Sequence, residues 1–201
     1  MNPRLARDFG KRRYARLYLI ATEGAVTEPH YFHFFNSQEV RVECLRARGK
    51  SSPKDVLAIM KKGLNRMSMR AGDEAWLVVD KDKWRDEHLQ LLHDWVSEKR
   101  DKVVKRGLAV SNPKFELWLL LHYADADSVN SSSSCDSELN KHLSGYKKEV
   151  PEAMFDSEKI CGAIMRAKRL DTPPCLDWPR KTGTTVYRLV KSMCRDVTRT
   201  N

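Results

Sequence analysis

Apolar residues fall in short bursts along a chain that is otherwise densely charged. Residues 17–21 (LYLIA) are a run of strand formers, and residues 40–45 (VRVECL) alternate apolar and polar as a half-buried strand does. Residues 75–79 (AWLVV) are continuously apolar, the mark of a strand covered on both faces in a parallel sheet. Thr27 is the expected N-cap of a first helix, with Glu28 and Pro29 in its first turn and Tyr31, Phe32, Phe34 and Phe35 as its apolar face. Behind Ser51, Ser52 and Pro53, a cap and helix start, Val56, Leu57, Met60, Leu64 and Met67 repeat at helical spacing. Leu89, Leu92, Trp95, Val96 and Val103 predict a helix over residues 87–106, followed by a short strand at 108–110. Asn112 and Pro113 then open a strongly apolar helix, FELWLLLHY. Strand alternating with helix predicts an α/β fold with a mostly parallel sheet.

Beyond residue 123 the pattern changes. Residues 124–137 (ADADSVNSSSSCDS) are polar and serine-rich and read as an exposed loop. Residues 138–201 read as a helical C-terminal extension, with helices at 157–170 and 184–195 joined by TPPCLDWPR. Residues 1–16 carry six Arg or Lys against one Asp and read as a basic N-terminal arm, which leaves 17–123 as the α/β core.

Composition narrows the class. The chain has 201 residues, 37 Lys+Arg and 27 Asp+Glu, for a formal net charge of +10. That balance suits a polyanionic partner, although a solvated basic face has the same composition. No apolar run approaches the ~20 residues that cross a bilayer. No signal-peptide apolar segment follows the basic start, so a cytoplasmic protein is expected. The five cysteines are scattered and include no C-x-x-C pair. Neither a disulfide framework nor a structural zinc site is expected from them. His30 with His33, and His88 with His93, lie outside any H-E-x-x-H frame.

The carboxylates change the picture most. In an open parallel sheet, functional groups gather beyond the carboxyl ends of the strands. The first strand ends at Thr22 and Glu23, the third at Asp80, Lys81 and Asp82, and the fourth at Ser111 and Asn112. Asp80 and Asp82 face the same way while the chain stays extended. Paired carboxylates repel unless a cation lies between them, and hard oxygen ligands suit Mg²⁺. Such a metal can activate water against a phosphodiester, with Glu23 as base or additional ligand. Each acid also has a plainer reading. Aspartate at a strand end is a common turn former or cap. Glu28 and Glu116 sit in first helical turns, where the dipole favours an acid, but Glu116 lies among almost wholly apolar neighbours.

The segments IATEGAVTEPHYFHFF, WLVVDKDKW and AVSNPKFELWLLLHY, in that order and spacing, resemble the RloB-like family. They span residues 20–123; YKK, RAKRL and TTVYRLV resemble the family's tail more weakly. The resemblance implies a Toprim-like fold and a place in prokaryotic restriction and abortive phage-defence loci, often beside an ATPase gene. Toprim domains use a glutamate after the first strand and a D-x-D after a later one. On this chain the resemblance implies Mg²⁺ on Asp80 and Asp82, with Glu23 as acid/base or metal ligand; Mn²⁺ is an expected substitute. The family's T-E-G-x-x-T-E-P element falls on Thr22, Glu23, Gly24, Thr27, Glu28 and Pro29. Its N-P-x-F-E-L-W element falls on Asn112, Pro113, Phe115, Glu116, Leu117 and Trp118. Glu28, Asn112 and Glu116 are therefore expected to line the same site. Lys83 is a phosphate contact or a solvated lysine; Lys147 and Lys148 are candidates for nucleic-acid backbone contacts, with Arg166, Lys168, Arg169 and Arg180 behind them.

Two functions follow. The first is a Mg²⁺-dependent nuclease acting on DNA or RNA, the effector of a phage-defence system. The second is a non-catalytic nucleic-acid-binding or regulatory module that assembles with an ATPase partner, with Trp84, Phe155, Trp178 and Tyr187 as candidate interface or core residues. A homo-oligomer is left open. A nucleotidyl or phosphoryl transferase lacks support, because no G-x-x-x-x-G-K-[ST] loop is present.

Overall fold

The computed structural model describes residues 15–46, 52–82, 84–98 and 104–197. Nearly all of the basic arm, and Lys83, lie outside them. Five strands form one sheet: β1 (Arg16–Thr22), β2 (Val40–Arg46), β3 (Glu74–Asp80), β4 (Lys105–Asn112) and β5 (Gly183–Thr184), in the order β2-β1-β3-β4-β5. The first four are parallel, and β5 pairs antiparallel with the end of β4. The expected α/β class and mostly parallel sheet are present.

Alternation along the central strands divides the interior in two. Tyr18, Ile20, Trp76, Val78 and Ala109 face one side. There they meet α1 (Thr27–His33), α4 (Glu116–Leu120), α5 (Ser132–His142), α6 (Ser157–Leu170) and α7 (Val186–Val197). Leu19, Ala21, Ala75, Leu77, Val79 and Val110 face the other, against α2 (Pro53–Arg66) and α3 (Asp86–Ser97). Helices cover both faces, which is why β1 and β3 read as unbroken apolar runs. Ser52 caps α2 in a reciprocal box with Asp55, as the Ser-Ser-Pro start suggests.

Several boundaries differ from the sequence reading. Helix α3 stops at Ser97, and β4 begins at Lys105 rather than at residue 108. Lys105 and Arg106 pair with Glu74 and Ala75 of β3. Their charges obscured the strand, but the Arg106 guanidinium sits over the Trp95 ring, 4.3 Å from its centroid. Gly107 is required on the same strand, since a Cβ there would overlap the Trp76 indole. Helix α1 is capped by Val26, not Thr27, whose hydroxyl instead meets Tyr146 Oη at 3.1 Å.

The largest correction concerns residues 124–137. Instead of one exposed loop, the serine run starts α5: Ser131 is the N-cap, and Ser134 completes a capping box with it. Cys135 and Leu139, four apart, are the buried face of that helix. The C-terminal residues join the sheet through β5, and α7 buries Val186, Leu189, Val190 and Met193 in the same core as Tyr18 and Ile20.

Candidate functional site

Glu23 lies one residue past β1, and its backbone N–H donates to Val78 O of β3 at 3.0 Å. Its side chain is held at the end of the neighbouring strand: Oε2 accepts from Asp80 N at 3.2 Å and Oε1 from Trp84 Nε1 at 3.0 Å. Asp80 ends β3 and reaches the start of α4, where its Oδ1 accepts from the N–H of the N-cap residue Phe115 at 2.9 Å. Glu28, in the first turn of α1, is buried and folds back so that its Oε1 accepts from Gly24 N at 2.9 Å. Glycine at position 24 leaves room for that fold-back, because a Cβ there would displace the Glu28 carboxylate. Glu116 begins α4.

Glu23, Glu28, Asp80 and Glu116 line one cavity of about 360 Å³, together with Lys114, Lys148 and the Gly24–Thr27 turn. Two strand ends, with Glu23 and Asp80, and two helix starts, with Glu28 and Glu116, thus deliver acids to one edge of the sheet. Burial, and then the charges of Glu28, Glu23 and Glu116, hold the Asp80 carboxyl well above the usual carboxylate range. Burial raises Glu28 to about 6, helped by Glu116 and Glu23, although its backbone hydrogen bonds pull the other way. Burial is the larger cause in both, and the mutual repulsion of the clustered acids adds to it.

Not every expected residue reaches the cavity. Asp82 is exposed and does not line it. Strand β3 ends at Asp80, Trp84 N closes a turn onto Lys81 O, and Asp82 Oδ1 accepts from Ser132 Oγ at 3.0 Å. The same-side geometry required a continuing extended chain, and the turn removes it. Asn112 also lies outside: its amide donates to Pro179 O at 3.2 Å, fastening β4 to the C-terminal segment. Lys148 lines the acidic cavity, whereas Lys147 lines the neighbouring one. Arg166 and Arg169 pair with Asp125, and Arg180 with Asp177 and Asp86.

Lys114 was missed by the sequence reading. It occupies the variable position of N-P-x-F, between a strand end and a helix start, and that placement was the available signal. Burial works against its charge, but its 2.6 Å ion pair with Asp136, and then Glu116, raise its pKa. Trp84, two residues beyond the D-x-D, was noted only as an apolar group, yet its indole N–H holds Glu23.

The family model described as RloB-like protein matches residues 18–193. The chain belongs to the RloB-like family. Every acid lining the cavity lies inside the matched span. No curated protein and no solved structure matches the chain. No helix among the described residues is long and apolar enough to cross a membrane.

The cavity's fit to a metal can be judged from its donors. Among the described residues, no three His, Cys, Asp or Glu side chains form a ready metal cage. The donors are nevertheless carboxylate oxygens, and at Asp80 and Glu28 burial and then the neighbouring acids resist ionisation. Mg²⁺ keeps several of its waters and takes one or two protein carboxylates, so it needs no complete cage. Carboxylate oxygens of this kind are compatible with a hard divalent ion, and Asp80 and Glu23 are the two that stand at strand ends.

Proposed function

We propose that this RloB-like protein is a metal-dependent nuclease that hydrolyses phosphodiester bonds in DNA or RNA, as the effector of a prokaryotic phage-defence system. The observation that carries this reading is the convergence of Glu23, Glu28, Asp80 and Glu116 on one cavity that also holds Lys114 and Lys148. Acids alone would repel a polyanion, and lysines alone would bind it without cutting. Together they make a place where a phosphate can be held against an activated water.

Asp80 and Glu23 would hold Mg²⁺ or Mn²⁺, with Asp82 outside that set. When bound, the ion would polarise a phosphoryl oxygen and lower the pKa of a coordinated water. Glu28, with its raised pKa, is suited to take a proton from the attacking water and to return one to the departing oxygen. The new P–O bond forms from water as the ester P–O bond breaks on the opposite side. Lys148 and Lys114 supply positive charge for the phosphate oxygens.

A second reading has one observation in its favour, the absence of a ready three-ligand cage among the described residues. On that reading the protein binds nucleic acid or regulates an ATPase partner without cutting. A cleavage assay on DNA and on total tRNA, with Mg²⁺ or Mn²⁺ and against EDTA, separates the two. The nuclease reading expects cutting that needs metal and falls at least a hundredfold in Asp80→Ala and in Glu23→Ala, with the fold retained by circular dichroism. Wild-type rates in either variant would exclude this site. No cutting by folded protein, with or without an ATPase partner, would favour the binding module.

A further inference from the structure

A second cavity, of about 570 Å³, adjoins the acidic one. Two elements border both. Helix α1 lines the acidic cavity with Thr27 and Glu28 and the second with His30 and Phe34. The strap between α5 and α6 contributes Lys148 to the acidic side and Tyr146, Lys147 and Glu149 to the other. Lys148 has a left-handed backbone, φ 68°, at the point where the strap switches cavities.

His30, Phe34 and Tyr146 bring rings to a lining that is otherwise mixed, and the first two are held in place. His30 and Phe34 lie 5.3 Å apart between centroids, and Phe34 stacks on Phe155 at 3.8 Å. His30 Nδ1 accepts from Val150 N at 3.2 Å, which fixes the ring against the strap and leaves the proton on Nε2. The charges on the lining are informative too. Glu149 and Glu152 border this cavity. They would repel a phosphate, but a carboxylate accepts well from the exocyclic amino group of a base. Flat neutral rings with amino donors fit here, and the volume is in the range of small-ligand sites.

We infer that this cavity receives the base of a nucleotide next to the scissile phosphate, with adenine, cytosine or guanine favoured over uracil or thymine. The inference rests on the nuclease reading above and extends it to a base-binding subsite. Unpaired bases are commonly held by stacking on aromatic side chains, so the substrate would be single-stranded or opened at that nucleotide. Lys147, exposed on the strap, offers a charge to the flanking backbone.

The test steps a single abasic residue along fluorescent single-stranded DNA and RNA, using the full chain with Ca²⁺ in place of Mg²⁺ and reading anisotropy. One position is expected at which loss of the base weakens binding about tenfold. In His30→Ala and Phe34→Leu the intact strand should bind as weakly as the abasic one binds wild type, and the penalty at that position should vanish. The abasic strand, bound equally by all three proteins, controls for misfolding. Intact strands bound with no sensitive position, or a penalty that persists in both variants, would overturn the base pocket and leave the nuclease reading standing. If wild type binds no strand at all, the base pocket fails, and the cleavage assay with the ATPase partner present decides the nuclease reading separately.

Discussion

At Asp80, burial and three neighbouring acids oppose ionisation, while the Phe115 N–H still requires an acceptor there. Asp80→Asn keeps an oxygen acceptor and removes the repulsion. We expect it to raise stability by about 1–2 kcal/mol in urea unfolding while eliminating cleavage, the usual exchange at a strained functional site. Unchanged or lower stability would mean that the acids are relieved in some other way. Sequence was a good guide to Glu23, Glu28, Asp80 and Glu116, because strand ends and first helical turns locate side chains from the backbone alone. It was a poor guide to Asp82 and Asn112. Their directions depend on a turn after β3 and on a contact with Pro179, neither of which periodicity encodes.

Among the elements, long apolar strands and the amphipathic α2 and α6 were legible, since each pattern has one period and one buried face. The serine run was not, because a cap and a loop share the same residue types. Only Cys135 and Leu139, on the buried face of α5, distinguished the two. Just beyond α4, His122 links two elements. Its Nδ1–H donates to Trp118 O at 2.9 Å, so Nε2 accepts from the Tyr31 hydroxyl of α1 at 3.1 Å. Burial lowers its pKa to about 4, against an ordinary 6.5. Between those values the unfolded chain takes up a proton that the folded chain refuses. Stability from this site is therefore complete above pH 6.5 and is lost as pH falls toward 4, by up to about 3 kcal/mol. Urea midpoints across that range should decline in wild type and decline less steeply in His122→Asn, whatever the variant's starting stability. Parallel slopes in the two proteins would show that other groups control the acid limb.

For the molecule as a whole, the open question is whether the C-terminal third is an appendage or part of the fold. Ser192 Oγ of α7 donates to Glu74 of β3 at 2.7 Å, and Tyr18 Oη of β1 donates to Asp196 at 2.7 Å. Leu189 is fully buried in the same cluster as Tyr18 and Ile20. Leu189→Ala should therefore cost about 2–5 kcal/mol in a single cooperative transition. A small loss, or a separate early transition, would mark an independent tail. Sequence alone gave little access to this level. The helical period of α7 shows that one face is apolar, and nothing in it says which surface that face meets.

The held protons at the acidic edge have a calorimetric consequence. Asp80 and Glu28 both keep hydrogen ions more tightly than ordinary carboxyls. Loading the cavity with a divalent ion would displace them into the buffer. The heat of titration with Mg²⁺ or Mn²⁺ near pH 6, where Glu28 is about half protonated, should then change with the ionisation enthalpy of the buffer, its slope counting the protons released. Heats identical in every buffer would mean that the acids had already let go.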